Sequence, residues 1–595
     1  MGEERARTWR RSCYKFVDPG SRRHCAWVSS VVTRLWNIAR PIEWFYYAAG
    51  LVLVLRYRWL MDDAFVYFRY VDNLLFLGAG LTYNAGEYVE GFTSPLHCLL
   101  LIPLRATELS YATITHGLGV VWWTLFWWLL VRLNRSLSPP GVRAWNLPLA
   151  YLCTNYAVTS YFTSGLESPL ALLAGAVLAH FFVRPESRVW SFAVALCPLV
   201  RPELAVAAVF SCAYAGWRLR RFPRFLVAMI ALVNVPWLVF RVWYYADLLP
   251  NTFYLKDTDR WDWGWSFLLD ATMSYWFPVF VAAAGIALIY VVRSRIRQGL
   301  DVEELRLDAR AAMLMLAAIM TVYVVKIGGG AIHWYYVWSP AVLAIAASAG
   351  VLEWAHQGLR IRRQVPVALA MAGTSVLVFF CYSTLLDEHP RHLKQVFKIE
   401  GIVADPAHHR VRPHGWLRNL AVQDQRDFAP VLAASGYDGI GTDGFCATIY
   451  YRFDQHTIHR YGLTDAFLAR CVAAERRKGH KPTLRPLAED LVELMSSAER
   501  IGPGMFRNAV SEGRAPQWVV SNVDTIEWIA RKVYNRHDFV ENLRLATTRV
   551  PAIDPGEVDL SRKRPTEQHA PIPSKLKGAR EREERQPPSD ARSGD

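Results

Sequence analysis

Eleven apolar segments separated by polar loops occupy residues 42–385, and this is the feature that most restricts the fold. A helix needs about 20 mostly apolar residues to cross a bilayer. The segments lie near 42–60, 113–133, 147–163, 168–183, 189–200, 203–217, 225–245, 272–292, 311–326, 335–352 and 366–385. The pattern predicts a polytopic α-helical membrane protein with about 11 transmembrane helices. The two short segments 189–200 and 203–217 are interpreted as halves of a hairpin.

The composition excludes several other classes of protein. Of the 595 residues, 53% are hydrophobic and 20% charged, and 24 are Trp, which does not fit a mainly disordered chain. Lys and Arg number 67 against 52 Asp and Glu, a net charge of +15. Because cytoplasmic loops of membrane proteins collect Lys and Arg, we assign this excess to the bilayer topology and expect no nucleic-acid partner.

The basic loops predict which side of the membrane each part occupies. The first 40 residues hold nine Lys or Arg, a longer basic lead than a cleaved signal peptide has, which indicates a cytoplasmic N-terminus. Five further basic loops fall on that same side if 61–112 is one long outer loop; they are 132–143, 184–188, 218–224, 293–297 and 360–363. An odd number of spans then predicts a multi-pass plasma-membrane protein with an extracytoplasmic C-terminus.

The predicted organisation has four parts. Residues 1–41 form a basic cytoplasmic N-terminus, and 42–385 form the membrane domain, whose outer loop 61–112 holds two short apolar stretches typical of interfacial helices, 64–77 and 96–104. Residues 386–560 are expected to be an extracytoplasmic α/β or mixed domain, in which Cys446 and Cys471 could pair. The Pro-rich, charged tail 561–595 is predicted to be disordered.

Two carboxylates, Asp62 and Asp63, directly follow the first apolar segment, with Arg58 one turn before them. They could act as a general base, a metal ligand or a cation site near the membrane surface. Arginine beside them suits a phosphate, because its planar fork matches phosphate oxygens. The structural alternative is a capping pair on the next helix, since Asp favours N-caps.

Further acids follow at the same predicted face. Glu87 and Glu90 lie in a Gly-rich turn, and Glu167 lies in the short turn Thr163-Ser164-Gly165-Leu166-Glu167. Arg201 and Glu203 flank a proline between two short apolar segments. Charges within a bilayer indicate function by default, and an internal Arg–Glu pair that holds the hairpin is the open alternative.

A polar and aromatic stretch leaves the apolar segment 225–245 and enters the next outer loop. It contains Tyr245, Asn251, Thr252 and Lys256. The Asn, Thr and Lys could hold a phosphate, while a turn at Pro250 and an interfacial aromatic belt explain the stretch equally well.

The order and spacing of these segments resemble one family. The segments are MDDAFVYFRY (61–70), LTYNAGEYVEGFTSPL (81–96), TSGLESPL (163–170), LVRPE (199–203), YYADLLPNTFYLK (244–256), and later YGLTD (461–465) and GHKP (479–482). Together they resemble the mycobacterial arabinofuranosyltransferase B family and related bacterial GT-C glycosyltransferases, over about residues 42–550. The resemblance implies a polytopic enzyme that uses a polyprenyl-phosphate sugar in its first outer loop.

The resemblance also implies roles for individual residues. Asp62 and Asp63 match the catalytic acids, and Arg58, Arg201 and Lys256 would bind the donor phosphate. Contacts with the substrates would come from Glu87, Glu90, Glu167, Glu203, Tyr245, Asn251, Thr252 and His333. The expected partners are a polyprenyl-phosphate sugar donor, a glycan acceptor and the lipid bilayer. No cofactor is implied, and the pattern demands no metal, although a divalent ion near the acids is compatible with it.

One stretch departs from the family. Relatives often carry Gly-Gly-Asp and then an Arg five residues later, before a Pro. Here Ala331 stands in place of that Asp and Tyr336 in place of that Arg. His333 or Lys326 could substitute. The departure leaves the donor sugar open.

Three classes of function therefore remain at this point. The resemblance favours a glycosyltransferase. About eleven spans with intramembrane charge also suit a transporter, against which stand the long outer loop and the absence of a half-to-half sequence repeat. A non-catalytic membrane scaffold, like flagellar motor control proteins, is favoured by Ala331 and Tyr336 and opposed by Asp62 and Asp63.

Overall fold

A computed structural model describes residues 41–351, apart from gaps at 57, 86, 139–145, 257–259, 275–276, 299–302 and 330–333. Beyond them it describes 441–443, 450, 457–459, 462–464 and 469. The described part is mostly helical, with one pair of short strands. The N-terminus, the predicted span 366–385, the predicted Cys446–Cys471 pair and the predicted tail lie outside the described residues.

The helices and strands follow one another along the chain with short connections. The helices are α1 Pro41–Arg56, α2 Ala64–Asp72, α3 Pro95–Arg105, α4 Tyr111–Leu137, α5 Leu147–Thr154, α6 Tyr156–Ser160, α7 Ser168–Val183, α8 Arg188–Val200, α9 Leu204–Leu219, α10 Arg224–Tyr245, α11 Asn251–Lys256, α12 Trp261–Ser274, α13 Phe277–Arg297, α14 Leu307–Lys326, α15 Trp334–Val337 and α16 Pro340–Ala347. The strands β1 Gly441–Asp443 and β2 Thr457–His459 pair in parallel, with Gly441 opposite Thr457.

Three of the described helices are long and apolar enough to cross a membrane: α4, α10 and α14. The helices α3, α7, α8 and α9 are apolar but shorter. In the part of the chain that the structure describes, α10 is largely uncovered, with 11% of its most apolar stretch buried. These helices are consistent with a helical membrane protein, and the count of eleven spans stays a prediction.

Two predicted spans are not single helices. The segment 147–163 breaks at Asn155, which has an extended backbone and accepts a hydrogen bond from the Val158 amide at 3.4 Å. The segment 335–352 breaks at Ser339, whose φ of 79° lies in the left-handed region directly before Pro340. Capping residues inside an apolar run thus divide these segments, and hydropathy alone does not register them.

The long helix α4 separates two polar ends of the helix bundle. Its 27 residues correspond to about 40 Å of helix. At its start the Tyr111 hydroxyl donates to Asp72 Oδ1 at 2.8 Å, and at its finish the Leu137 carbonyl accepts from Arg310 Nη2 at 2.9 Å. We call these the loop end and the basic end. Glu43 of α1 pairs with Arg135 of α4 at 3.3 Å, so α1 begins at the basic end.

The two helices predicted for the outer loop are present as α2 and α3. All nine residues of α2 are buried, so it is a core element rather than a helix that lies on a surface. Its Phe68 ring stacks on Tyr111 with ring centroids 3.9 Å apart, and its Phe65 ring contacts Tyr450 at 5.3 Å. Aromatic packing from above and below therefore fixes the segment that follows Asp62 and Asp63.

Candidate active site at the loop end

A small recess at the loop end is lined by five separate segments of the chain. It has about 300 Å³ of empty space, part of it open to the outside. The lining residues are Thr93, Arg201, Pro202, Glu203, Thr252, Phe253, Lys256, Tyr323, Ile327 and Trp338. Two cations and one carboxylate thus share a wall with apolar side chains, an environment in which charges interact more strongly than in water.

Arg201 lies in the turn between α8 and α9, and the fold buries it. Its extended backbone, with φ of −156°, is the conformation favoured for a residue before proline. The guanidinium lies 5.2 Å from the centre of the Trp338 ring. Its Nη1 donates to Glu167 Oε1 at 2.5 Å, and its Nε donates to Glu203 Oε1. The predicted Arg–Glu pair is therefore present, and a second glutamate joins it.

Glu167 is fixed by two partners. Besides Arg201, the Tyr67 hydroxyl of α2 donates to Glu167 Oε2 at 3.0 Å, and the Ser94 amide donates to that same hydroxyl at 3.0 Å. Burial acts to raise the pKa of the Glu167 carboxyl, but the Arg201 charge, a backbone hydrogen bond and the nearby His97 and Lys256 together hold this pKa below the ordinary value. Glu167 is therefore an ionised and immobile partner of the guanidinium.

Lys256 ends the short helix α11 and faces the same recess as Arg201. Burial and then the charge of Arg201 lower the pKa of its ammonium. The carboxylates of Glu203, Glu167 and Asp63 act in the opposite direction. Lys256 thus lies among the charged groups of the site, and its ammonium loses its proton at a lower pH than that of an exposed lysine.

The two aspartates lie in the turn between α1 and α2. The Met61 amide donates to the Ser164 carbonyl at 2.8 Å, which joins this turn to the turn that carries Glu167. Asp63 is the N-cap residue of α2, but its side chain makes no capping bond. The capping alternative therefore does not account for the Asp63 carboxylate, which lies close enough to Lys256 to influence its pKa. Among the described residues that line the recess, Asp62 does not appear.

Other residues that we singled out as substrate contacts hold the outer loop together. Glu90 forms a buried ion pair with Arg241 of α10, whose Nη2 donates to Glu90 Oε1 at 3.1 Å. Glu87 accepts from Asn84 Nδ2 at 2.8 Å, and the Tyr245 hydroxyl donates to the Leu81 carbonyl at 2.8 Å. The contacts of Glu90 and Tyr245 join the loop to α10, that of Glu87 lies within the loop, and none of these side chains lines the recess that the described residues form.

Asn251 and Thr252, at the start of α11, have different surroundings. Asn251 Nδ2 donates to the carbonyls of Gly462 at 2.8 Å and Leu463 at 3.0 Å. The Thr252 hydroxyl lines the recess, 3.3 Å from the hydroxyl of Thr93. Asn251 therefore ties the helix that carries Lys256 to the C-terminal part of the chain, while Thr252 offers a hydroxyl to a ligand.

The predicted site residues that remain are Arg58 and His333. Arg58 does not line the recess, and its charge acts on His116 of α4. His333 lies outside the described residues, as does Ala331, and Tyr336 is buried with its hydroxyl donating to the Ala271 carbonyl at 3.1 Å.

Sequence reasoning missed three members of the site. Thr93 and Trp338 line the recess, and Tyr67 orients Glu167. Tyr67 lies in segment 61–70 and Thr93 in segment 81–96, both of which carry the family resemblance, so this could have marked them as candidates. Trp338 directly precedes Ser339, inside the predicted segment 335–352, and no sequence signal marked it as a site residue. Among the described residues, no group of three His, Cys, Asp or Glu side chains could hold a metal ion.

The described helices are consistent with a helical membrane protein, and the recess is a buried, charged site at one end of the bundle. No protein-family model matches the chain, and no solved structure matches it significantly. A curated protein, the terminal β-(1→2)-arabinofuranosyltransferase of Mycobacterium tuberculosis, is 30% identical over 270 residues. The match covers 40% of this chain and 42% of that protein, so less than half of the relative's length is spanned. It supports a distant relationship to the mycobacterial enzyme.

Proposed function

We propose that the chain is an integral membrane glycosyltransferase that moves a sugar from a polyprenyl-phosphate donor to an acceptor hydroxyl, on a cell-envelope glycan or another acceptor, at the extracytoplasmic face. The observation that supports it best is the shared recess of Arg201 and Lys256, with Asp63 near the Lys256 ammonium. The relationship to an arabinofuranosyltransferase makes arabinofuranose the first sugar to test.

The two cations suit the phosphate of such a donor. In the transfer, the bond between the anomeric carbon and the phosphate oxygen breaks, and the phosphate leaves with the electron pair. Arg201 and Lys256 would stabilise that developing charge, and the Thr252 hydroxyl would donate to a phosphate oxygen. The apolar walls supplied by Phe253, Ile327 and Trp338 strengthen these interactions.

An aspartate would supply the base. The acceptor hydroxyl attacks the anomeric carbon, and Asp63 or Asp62 takes its proton as the new bond forms. A positioned base of this kind contributes about 10²–10⁴-fold to the rate. The Asp63 carboxylate suits this role because it lies close enough to Lys256, which lines the recess, to influence the pKa of that ammonium.

The donor's hydrocarbon chain would lie along α10. A five-residue connection leads from this helix to α11, which carries Lys256, and among the described residues the outer face of α10 is apolar and largely uncovered. Val239 is 61% exposed and Trp243 is 78% exposed on that face. A polyprenyl chain in the bilayer could therefore follow α10 while its phosphate enters the recess.

The test is sugar transfer by the purified protein in lipid nanodiscs, with polyprenyl-phosphate arabinofuranose as donor. We expect Asp63→Asn or Asp62→Asn to lower the rate by about 10²–10⁴-fold. Asp308→Asn is the matched control, because Asp308 is an aspartate paired with Arg218 at the basic end. Wild-type rates in both site variants would overturn the catalytic assignment, and a wild-type protein that binds the donor without turnover would favour the scaffold.

A further inference from the structure

The two glutamates that contact Arg201 differ in how firmly they are held. Glu167 lies outside the recess lining and has two described partners, Arg201 and Tyr67. Glu203 lines the recess, and among the described residues Arg201 is its hydrogen-bond partner. Glu167 therefore holds the guanidinium from outside the recess, while Glu203 lies in the recess, on the side from which a ligand would enter.

The Glu203 side chain also does not cap its own helix. It is the N-cap residue of α9, yet its side chain makes no capping bond there. Because this carboxylate does not cap α9, its turning away from Arg201 breaks no hydrogen bond to the start of that helix.

The positive charges at the recess already face carboxylates without a ligand. Arg201 and Lys256 bring two positive charges, Glu167 and Glu203 bring two negative ones, and the Asp63 carboxylate also acts on Lys256. A phosphate that entered beside these groups would meet no net attraction, and at about 4 Å it would be repelled by the Glu203 carboxylate in the recess. One of the carboxylates has to leave the guanidinium if an anion is to bind it, and Glu203 is the one that can.

We propose that the Glu203 carboxylate is a built-in substitute for the phosphate, which displaces it from Arg201 when the donor binds; this rests on the proposed function. Glu167 and the Trp338 ring keep the guanidinium in place during the exchange. The phosphate then takes the edge of the guanidinium that Glu203 leaves, where two N–H groups can face two of its oxygens. The released carboxylate turns toward Lys256, whose charge it already influences.

The exchange predicts that removing the Glu203 charge strengthens phosphate binding. We would measure the Kd of farnesyl phosphate for the whole protein in nanodiscs, with farnesol and inorganic phosphate as competitors. Glu203→Gln should bind farnesyl phosphate about tenfold more tightly than the wild type, a change of about 1.4 kcal/mol. Arg201→Gln should weaken binding. Glu186→Gln is the matched control, because Glu186 is an exposed glutamate in the turn between α7 and α8.

The outcomes separate this proposal from the one on which it rests. Equal Kd values for Glu203→Gln and the wild type, with Arg201→Gln weaker, would overturn the exchange and leave the phosphate site standing. Binding that no variant changes would remove the phosphate site itself. An equal gain in Glu186→Gln would show a general charge effect and also overturn the exchange.

Two further controls complete the design. Competition by inorganic phosphate as strong as that by farnesyl phosphate would support the exchange for free phosphate and argue against a lipid donor, whereas farnesol should not compete. If Glu203→Gln does not fold, Glu203→Asp tests the same point. Its shorter carboxylate reaches the guanidinium less well, so the affinity should rise by about two- to threefold, and an unchanged Kd would count against the proposal.

Discussion

The Tyr450 hydroxyl donates to Asp72 Oδ2 at 2.9 Å, although 378 residues separate the two in the chain. The other oxygen of this carboxylate accepts from Arg105 Nε at 2.9 Å and from the Tyr111 hydroxyl at 2.8 Å. Both residues are buried, and the Tyr450 ring contacts Phe65 and Tyr111. The C-terminal part of the chain is thus attached to α2, directly after the turn of the two aspartates.

This attachment predicts a loss of stability in Tyr450→Phe. The substitution keeps the ring and removes one hydrogen bond to a buried carboxylate, which costs about 1.5–3 kcal/mol for a charged acceptor. The apparent Tm of the purified protein should fall. Tyr88→Phe is the control, because Tyr88 is 41% exposed. Equal Tm values for the two variants would mean that the hydrogen bond from Tyr450 to Asp72 does not stabilise the fold.

The pKa of Glu167 predicts a stability that declines in acid. Burial of its carboxyl acts to raise this pKa, but Arg201, together with a backbone hydrogen bond, His97 and Lys256, holds it below the ordinary value of 4.5. The unfolded chain therefore takes up the proton at a higher pH than the folded protein, so this contribution is complete above about pH 4.5 and is lost as the pH falls through the lower, folded pKa. Tm measured from pH 7 to pH 3 should fall less steeply in Glu167→Gln, from a lower starting value. A slope equal to that of the wild type and of the exposed control Glu186→Gln would contradict the assignment.

The pKa of Lys256 predicts an alkaline limit on donor binding. Burial and the Arg201 charge lower this pKa from its ordinary value of 10.5, so the ammonium loses its proton at a lower pH than an exposed lysine does. The affinity for farnesyl phosphate should therefore begin to fall below pH 10.5, and Lys256→Arg should move that fall to higher pH because arginine stays charged. The titration of the phosphate is common to both proteins and cancels in the comparison. Identical pH profiles would exclude Lys256 from the phosphate site.

The sequence alone led to part of this arrangement and could not lead to the rest. Arg201 and Lys256 each follow an apolar segment at the same predicted face, so their common depth could be inferred, and both line the recess. The contact between Tyr450 and Asp72 could not be inferred, because no local pattern in either segment specifies a partner 378 residues away. The breaks at Asn155 and Ser339 were missed for another reason: hydropathy averages over a window, whereas a single cap or a left-handed residue ends a helix.

The membrane orientation gives the last prediction. Helix α4 places Tyr111, with Asp72 and Tyr450, about 40 Å from its last turn at Leu137, near the Arg218–Asp308 pair of the basic end. Because the loops of membrane proteins that are rich in Lys and Arg lie on the cytoplasmic side, the basic end should be cytoplasmic. The loop end, and with it the C-terminal part of the chain, should then be extracytoplasmic. A reporter that fluoresces only in the cytoplasm should stay dark when fused after residue 560 and should be bright when fused to the N-terminus. Brightness at both fusions would put the recess in the cytoplasm, where an extracytoplasmic acceptor cannot reach it, since Tyr450 and the recess belong to the same end of the bundle.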